Sequence, residues 1–263
     1  MWRRRIWVLT GAAAALIGVV VAGVLAWPHL QRYVGLAPPR QVDRPIDPPL
    51  RGGAGARVLG IAHNAGNNPA TTQAAIRNGA DAIEVDVIAA RGKLVAGREY
   101  QPWPGLARRL FRGPSLDDAW EQTGAAGLLK LDLKQSDAAF LDLVVAFLSS
   151  RPGSRTVVVS TPDRGAVMVL RDRLPGVQLV YSAGGPAAVE RLQADPALVA
   201  AVSAISAFQG LVDADLLRWA HARDLKVFAW TVEGGPRLAQ LVRLGVDGVT
   251  TANLAVLRAL GGS

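Results

Sequence analysis

The sequence AIEVDV at residues 82–87 decides the fold, because two carboxylates alternate there with the apolar residues of a strand. Side chains of a β-strand point alternately to its two faces, so Glu84 and Asp86 lie on one face and the apolar residues on the other. The sequence LDLK at residues 131–134 repeats this pattern. The two stretches predict neighbouring strands whose apolar faces contact helices and whose charged faces line a site.

Short apolar or β-branched runs of this kind alternate with helical patterns from Val58 onward, which favours a parallel α/β fold. The predicted strands are Val58–Ala62, Ala82–Val87, Leu128–Leu133, Thr156–Ser160, Gln178–Tyr181, Ala201–Ile205, Lys226–Thr231 and Asp247–Thr250. The predicted helices are Ala70–Asn78, Ser115–Gln122, Ala138–Ser149, Arg164–Arg173, Ala187–Gln193, Ala214–Ala222, Pro236–Leu244 and Leu254–Leu260. Eight such units predict a (β/α)₈ TIM barrel over residues 58–263. A doubly wound open sheet is the alternative, but no G-x-G-x-x-G motif follows the first strand.

Composition narrows the function classes. The 263 residues are 50% hydrophobic, contain no cysteine and carry a formal net charge of +8. The lack of cysteine excludes disulfides and thiolate metal sites. The basic residues are mostly scattered arginines without a dense basic tract, which argues against a nucleic-acid partner. A basic protein that works beside an anionic membrane fits the charge better.

The N-terminal region predicts a membrane anchor. Ile6–Trp27 is an uncharged apolar run that is long enough, as a helix, to span a bilayer. Arginines at residues 3–5 precede it, so residues 1–5 are expected in the cytoplasm and the barrel outside it. A cleaved signal peptide is the alternative. Residues 28–57 are rich in proline and then glycine, which predicts an extended linker rather than a domain.

Ionisable residues at strand ends mark the predicted site, because the chemistry of a barrel lies at the C-terminal ends of its strands. Three carboxylates and one imidazole are expected to meet there: His63, Glu84, Asp86 and Asp132. Oxygen ligands of this kind suit a hard divalent cation such as Mg²⁺ or Ca²⁺. The alternative is an internal ion-pair network that uses Lys134 and Arg98.

Five motifs occur in order along the predicted barrel: IAH at 61–63, GADAIEVDV at 79–87, LDLK at 131–134, LKVFAWTV at 225–232 and GVDGVTT at 245–251. Taken together, they resemble the glycerophosphodiester phosphodiesterase family over about residues 58–260. The resemblance implies a metal-dependent phosphodiesterase that acts on glycerophosphodiesters or lipid-derived headgroups. It assigns the metal to Glu84, Asp86 and Asp132. It also implies that His63 performs acid–base catalysis, that Lys134 contacts phosphate, and that Trp230 lines the glycerol side.

The chain departs from the family pattern at three places. Asn64 follows His63 where the family has an arginine, and Ala70-Thr71 replaces a Glu-Asn pair. Arg98-Glu99 stands where the family has its second His-Asp pair. Arginine stays protonated and is a poor general acid. One hypothesis is that Arg98 binds phosphate and Glu99 supplies the proton. The alternative is a catalytically degenerate barrel that binds phosphate or lipid, or organises the envelope.

Overall fold

The computed structural model describes residues 31, 34–35, 37–46, 57–98 and 104–261. Within them, eight parallel strands form a closed barrel, since the first strand pairs with both the second and the last. One further strand pairs antiparallel with the second strand outside the barrel. The strands are β1 (Leu59–Ala62), β2 (Ala82–Ala90), β3 (Lys93–Ala96), β4 (Leu128–Leu133), β5 (Thr156–Thr161), β6 (Gln178–Ala183), β7 (Ala204–Phe208), β8 (Lys226–Trp230) and β9 (Gly248–Thr251). The predicted TIM barrel is confirmed.

The α-helices of the described part alternate with the barrel strands. They are α1 (Pro69–Arg77), α2 (Pro104–Leu110), α3 (Leu116–Gln122), α4 (Ala138–Ser149), α5 (Arg164–Arg173), α6 (Pro186–Ala194), α7 (Pro196–Ala201), α8 (Ala214–His221), α9 (Gly235–Leu244) and α10 (Leu254–Gly261). Each predicted helix is present to within about a residue at its ends. None of these helices is long and apolar enough to cross a membrane. The predicted anchor, residues 6–27, lies outside the described residues.

The sequence did not predict α7, and this shifts the strand that follows it. Asp195 accepts a hydrogen bond from the Leu198 backbone N–H at 3.0 Å, and Pro196 occupies the first turn. Both features favour the start of a helix. The helix continues to Ala201, so β7 begins at Ala204 rather than at the predicted Ala201.

The hairpin strand β3 was not predicted either. Arg91 and Gly92 both adopt positive φ, of 52° and 75°, and turn the chain back so that Val87 pairs with Ala96. The turn brings the end of β3 back to the mouth of the barrel. Arg98 is positioned at the mouth by this hairpin.

The lower half of the barrel interior is filled by an apolar cluster, here called the plug. Its members are buried residues from six strands: Ile61, Ala82, Val158, Val180, Ala204 and Phe228. A larger apolar core lies between the outer faces of the strands and the helices, and it contains Val85, Val87, Leu131 and Leu133 as the alternation predicted. The inward residues above the plug are polar.

Part of the predicted linker is attached to the barrel. Asn253, which is fully buried after β9, accepts a hydrogen bond from the Arg44 N–H at 3.1 Å and donates one to the Arg44 carbonyl at 3.0 Å. Val42 forms a parallel bridge with Asn253, and the Gln41 side chain donates to the Thr71 carbonyl. Residues 34, 35 and 37–46, here called the docked segment, therefore lie against the mouth of the barrel, and residues 34 and 35 form a turn.

Candidate functional site

Three carboxylates meet at the mouth of the barrel above the plug. Asp86 on β2 lies beside Asp132 on β4 in the strand register, and Glu84 is two residues below Asp86 on the same face. One oxygen from each carboxylate can be chosen so that all three lie within 4.8 Å of one another. Glu84 and Asp86 are buried, and Asp132 is partly exposed. The predicted cluster is therefore formed by the fold.

Two lysines from β4 and its C-terminal end lie among these carboxylates. Lys134 Nζ is 2.7 Å from Asp86 Oδ1 and also bonds to Asp132. Lys130 Nζ is 2.8 Å from Glu84 Oε2 and donates to the Ser206 hydroxyl at 3.3 Å. The ion-pair network that the sequence offered as an alternative is thus present around Lys134, and Lys130 extends it into the barrel.

The lysines shape the protonation of the cluster. Burial alone would raise the pKa of Glu84, but Lys130, His63 and Lys134 outweigh it and lower that pKa to about 2. Burial raises the pKa of Asp86, and the negative charges of Asp132 and Glu84 add to this rise although Lys134 opposes it. Burial would lower the pKa of Lys134, yet the three carboxylates raise it above its ordinary value. At neutral pH Glu84 is ionised and Lys134 is an ammonium.

His63 lies directly after β1, with its Nε2 3.9 Å from Glu84 Oε1 and its side chain 29% exposed. The next residue, Asn64, has a left-handed φ of 54° and begins a short 3₁₀ turn. This turn approaches β2 so closely that a Cβ on Gly66 would lie 2.3 Å from Val85 Cγ2. The tight approach places both His63 and the turn against the carboxylates.

Asn67, at the end of that turn, holds Asp86 in place. Its amide donates to Asp86 Oδ2 at 3.1 Å, and its carbonyl accepts from the Asp86 backbone N–H at 2.9 Å. Asp86 Oδ1 accepts no hydrogen bond from the described residues, although Lys134 lies beside it. A divalent cation bound by Asp86 Oδ1 would therefore have to share this oxygen with the Lys134 ammonium. Ser160 donates to Asp132 and fixes the third carboxylate.

Lys130 and Asn67 are site residues that the sequence did not single out. The signal for Lys130 was available, because the period of two that pairs Asp132 with Lys134 also puts Lys130 on the inward face. Asn67 gave no such signal, since it lies in a turn whose geometry depends on the left-handed Asn64 and on the missing side chain of Gly66.

The mouth contains two cavities that meet at His63 and Arg98, the two residues that line both. The first cavity, of about 270 Å³, is also lined by Glu84, Asp132, Lys134 and Trp230. The second cavity, of about 290 Å³, is also lined by Asn64, Asn67 and Asp86 and by residues of the docked segment. Every predicted site residue except Glu99 therefore lies at the mouth. Glu99 falls outside the described residues.

Trp230 ends β8 and forms one wall of the first cavity. Its indole N–H donates to the Ser206 carbonyl at 3.0 Å. Phe208 packs edge-on against the Trp230 ring, with 5.8 Å between the ring centroids. These two contacts fix the orientation of the indole ring and leave it beside the cavity.

Solved structures of the same fold are numerous. A phosphodiesterase from Oleispira antarctica, solved with the product sn-glycerol-3-phosphate, has a TM-score of 0.64 and 20% identity, and the match covers 79% of this chain and 98% of that one. A glycerophosphodiester phosphodiesterase from Parabacteroides distasonis has a TM-score of 0.57 and 16% identity, and the match covers 80% of this chain and 98% of that one. Another, from Agrobacterium tumefaciens, has a TM-score of 0.54 and 18% identity, and the match covers 77% of this chain and 99% of that one. These likenesses support the barrel fold.

No curated protein matches the sequence significantly. The sequence pattern that describes the "Glycerophosphoryl diester phosphodiesterase family" matches residues 107–256, which is more than half of the chain. The matched part contains Asp132, Lys134 and Trp230, while His63, Glu84 and Asp86 precede it. The chain therefore belongs to the glycerophosphoryl diester phosphodiesterase family, a family of phosphoric diester hydrolases, as its motifs predicted.

Proposed function

We propose that this chain hydrolyses glycerophosphodiesters, free or derived from lipid headgroups, with a divalent cation held by Glu84, Asp86 and Asp132. The observation that carries the proposal is the meeting of these carboxylates with His63 and Lys134 between two cavities. A phosphodiester has a negatively charged centre and an alcohol on each side. A divalent cation bound between two cavities would suit such a molecule.

The three carboxylates fit a hard cation such as Mg²⁺ or Ca²⁺, because all their donors are oxygens and one oxygen from each lies within 4.8 Å of the others. When bound, such a cation neutralises non-bridging phosphate oxygens. Asn67 and Ser160 orient two of the carboxylates. Orienting contacts of this kind support a metal site.

The remaining side chains at the mouth would bind and protonate the substrate. His63 is half-buried and close to Glu84, and an imidazole in this place can act as a general acid or base. Lys134 and Arg98 supply positive charge for the phosphate, and Trp230 forms a wall for glycerol. Glu99 remains a candidate proton donor on sequence grounds. The glycerol 3-phosphate in the Oleispira antarctica structure supports the choice of substrate class.

We place the barrel outside the cytoplasm on the sequence of residues 1–27 alone. A reporter fused after Ser263 should be active only in the extracytoplasmic compartment, and the purified protein should retain Trp7. Recovery of a chain that begins near Pro28 would instead indicate a cleaved signal peptide.

The direct test is hydrolysis of a panel of glycerophosphodiesters by the full chain with Mg²⁺, Ca²⁺ or Mn²⁺, or with a chelator. We expect hydrolysis with a divalent cation and none with the chelator. The cation should also raise the melting temperature, and Glu84→Gln with Asp86→Asn should abolish that rise. Identical melting curves with and without cations would contradict the metal site.

Proton transfer can be tested at His63, with His221 as a matched control at the far end of the barrel. His63→Ala should lower kcat by about 10²–10⁴-fold, because an acid–base group is lost. His221→Ala should leave kcat unchanged. Arg98→His restores the residue of the family pattern, and an increase in kcat would show that Arg98 is not itself needed. Hydrolysis that survives His63→Ala would contradict the mechanism.

A second candidate function is binding of phosphate or lipid headgroups without turnover. It is favoured by Lys130 and Lys134, which already neutralise part of the carboxylate charge, and by the replacement of the second histidine. In that case no diester would be hydrolysed with any cation. Glycerol 3-phosphate would still raise the melting temperature.

A further inference from the structure

The docked segment forms a wall of the second cavity. Gly35, Ala37, Pro39 and Arg40 line this cavity from the linker side. Hydrogen bonds attach the segment to the barrel on both sides of these residues. The Arg112 backbone N–H donates to the Val34 carbonyl at 2.6 Å, and the Asn253 side chain bonds to the Arg44 backbone. Arg40 lies between these two attachments and lines the cavity. The linker therefore supplies a cation to the mouth of the barrel.

The boundary between the two cavities coincides with the charged centre. His63 and Arg98 line both cavities, whereas Glu84 and Asp132 line the first and Asp86 lines the second. A phosphate at this boundary would direct one alcohol toward Trp230 and the other toward the docked segment. A phosphate that approaches all three carboxylates through a bound cation would therefore lie where the two cavities meet.

We propose that the second cavity is the subsite for the second alcohol of the diester, and that Arg40 selects a compact polyol there, such as glycerol or inositol, with or without a negative charge. This inference rests on the proposed function of the same site. It adds a substrate class and a specificity-determining residue that comes from outside the barrel.

The lining of the second cavity favours a polyol. Asn64, Asn67 and Thr231 offer hydrogen-bonding groups that suit several hydroxyls. Arg40 and Arg98 bring two guanidiniums. Of the two carboxylates in the lining, Asp86 is already paired with Lys134 and Asn67, and Glu233 is exposed and accepts a hydrogen bond from the Ala252 N–H at 3.3 Å. A quaternary ammonium alcohol such as choline offers no hydroxyl once esterified and carries the wrong charge for Arg40.

The test compares Arg40→Ala with Arg44→Ala in the full chain. Arg44 is an exposed arginine of the same segment whose attachment to Asn253 uses only backbone atoms, so its substitution leaves the wall in place. The substrates share glycerol 3-phosphate and differ in the second alcohol: glycerophosphoglycerol, glycerophosphoinositol and glycerophosphocholine. Arg40→Ala should raise KM for the first two by about tenfold, because a charged hydrogen bond is lost.

The other parameters separate a binding role from a structural one. The kcat of Arg40→Ala and its KM for glycerophosphocholine should stay within about twofold of the parent values, and Arg40→Lys should recover part of the lost affinity. Arg44→Ala should match the parent chain throughout. Equal KM changes for all three substrates, or none for any, would overturn the inference while leaving the proposed function intact.

A parent chain that hydrolyses no diester would refute the proposed function, and binding would then decide the inference separately. Glycerophosphoglycerol should raise the melting temperature of the parent and of Arg44→Ala, and should raise that of Arg40→Ala much less. An equal rise in all three proteins would overturn the inference.

Discussion

The two halves of the barrel interior have opposite character, although β2 contributes to both. The lower half is the plug, whose members are all apolar and buried. The upper half, here called the charged layer, consists of Glu84, Asp86, Lys130, Asp132 and Lys134. β2 contributes Ala82 to the plug and Glu84 to the charged layer two residues later. A single pleat on one strand thus separates the two environments.

The difference concerns how each half contributes to stability. Removing the apolar side chains of the plug from water stabilises the fold in proportion to the area buried. Burying the ions of the charged layer costs free energy, which their mutual attraction must repay. The plug can therefore hold the barrel closed while the charged layer is kept for chemistry. Three substitutions would test this division.

The largest effect on stability is expected in the charged layer, at Lys130. Lys130→Met leaves the buried Glu84 carboxylate without its counter-ion and should lower the free energy of unfolding by about 3–5 kcal/mol in chelator. The measurement is urea denaturation at neutral pH. A divalent cation should reduce the loss, because it compensates the same carboxylate.

The exposed Lys93 of β3 provides the matched control. Lys93→Met should change the free energy of unfolding by less than about 0.5 kcal/mol. The double variant Glu84→Gln with Lys130→Met should lose less than the two single changes together, since neither ion then lacks its partner. A loss at Lys130 no larger than that at Lys93 would contradict the charged-layer interpretation.

An intermediate effect is expected at Asp247, a carboxylate just before β9 at the plug end of the barrel. It accepts the Val227 backbone N–H at 2.9 Å and pairs with His221 and Lys226. Asp247→Ala leaves that N–H unpaired and should cost about 1–3 kcal/mol at neutral pH. Cations should not change this cost, unlike that at Lys130.

The pH dependence at Asp247 has a defined sign. Burial would raise the pKa of Asp247, but its hydrogen bonds to Val227, His221 and Lys226 lower it below its ordinary value of 3.8. A carboxylate whose pKa is lowered by folding stabilises the fold at pH values above its ordinary pKa. This contribution is lost as the pH falls through the pKa of the folded state. The difference between the parent and Asp247→Ala should therefore shrink in acid. A constant difference from pH 7 to pH 2 would contradict this assignment.

The smallest effect is expected in the plug. Ile61→Val removes one buried methyl group and should cost about 0.5–1.5 kcal/mol. The cost should be the same in chelator and in Mg²⁺, because Ile61 belongs to the plug and carries no group that could bind a cation. A cost that depends on the cation would show that the two halves of the interior are coupled.

The alternation on β2 and β4 was enough to predict the carboxylate cluster, and the count of eight strand–helix units predicted the barrel. A strand period of two fixes which side chains face inward, and closure of the sheet brings Glu84, Asp86 and Asp132 together. The helices were predictable for a similar reason, since their starts carry local signals such as Asp213, which accepts a hydrogen bond from Leu216. Asp137 likewise accepts a hydrogen bond from the Phe140 N–H at the start of α4.

What the sequence could not predict depends on contacts between distant parts of the chain. Asn253 bonds to Arg44 across 209 residues, and no local pattern indicates that pairing. The prolines near Arg44 predicted an extended backbone, but an extended segment can stand away from a barrel or lie against it. Lys130 was missed for another reason. The period of two placed it on the inward face, but a lysine within a strand is usually exposed.

The attachment of the docked segment to Asn253 sets an order of events during synthesis. Arg44 is made early, whereas its partner follows 209 residues later. At about 5–20 residues per second, the ribosome needs about 10–40 s to reach Asn253. Residues 84–134, which contain the charged layer, are made long before then. Both cavities also need the end of the chain, since Thr250 lines the first cavity and Ala252 lines the second. A nascent chain must therefore be almost fully synthesised before the walls of either cavity exist.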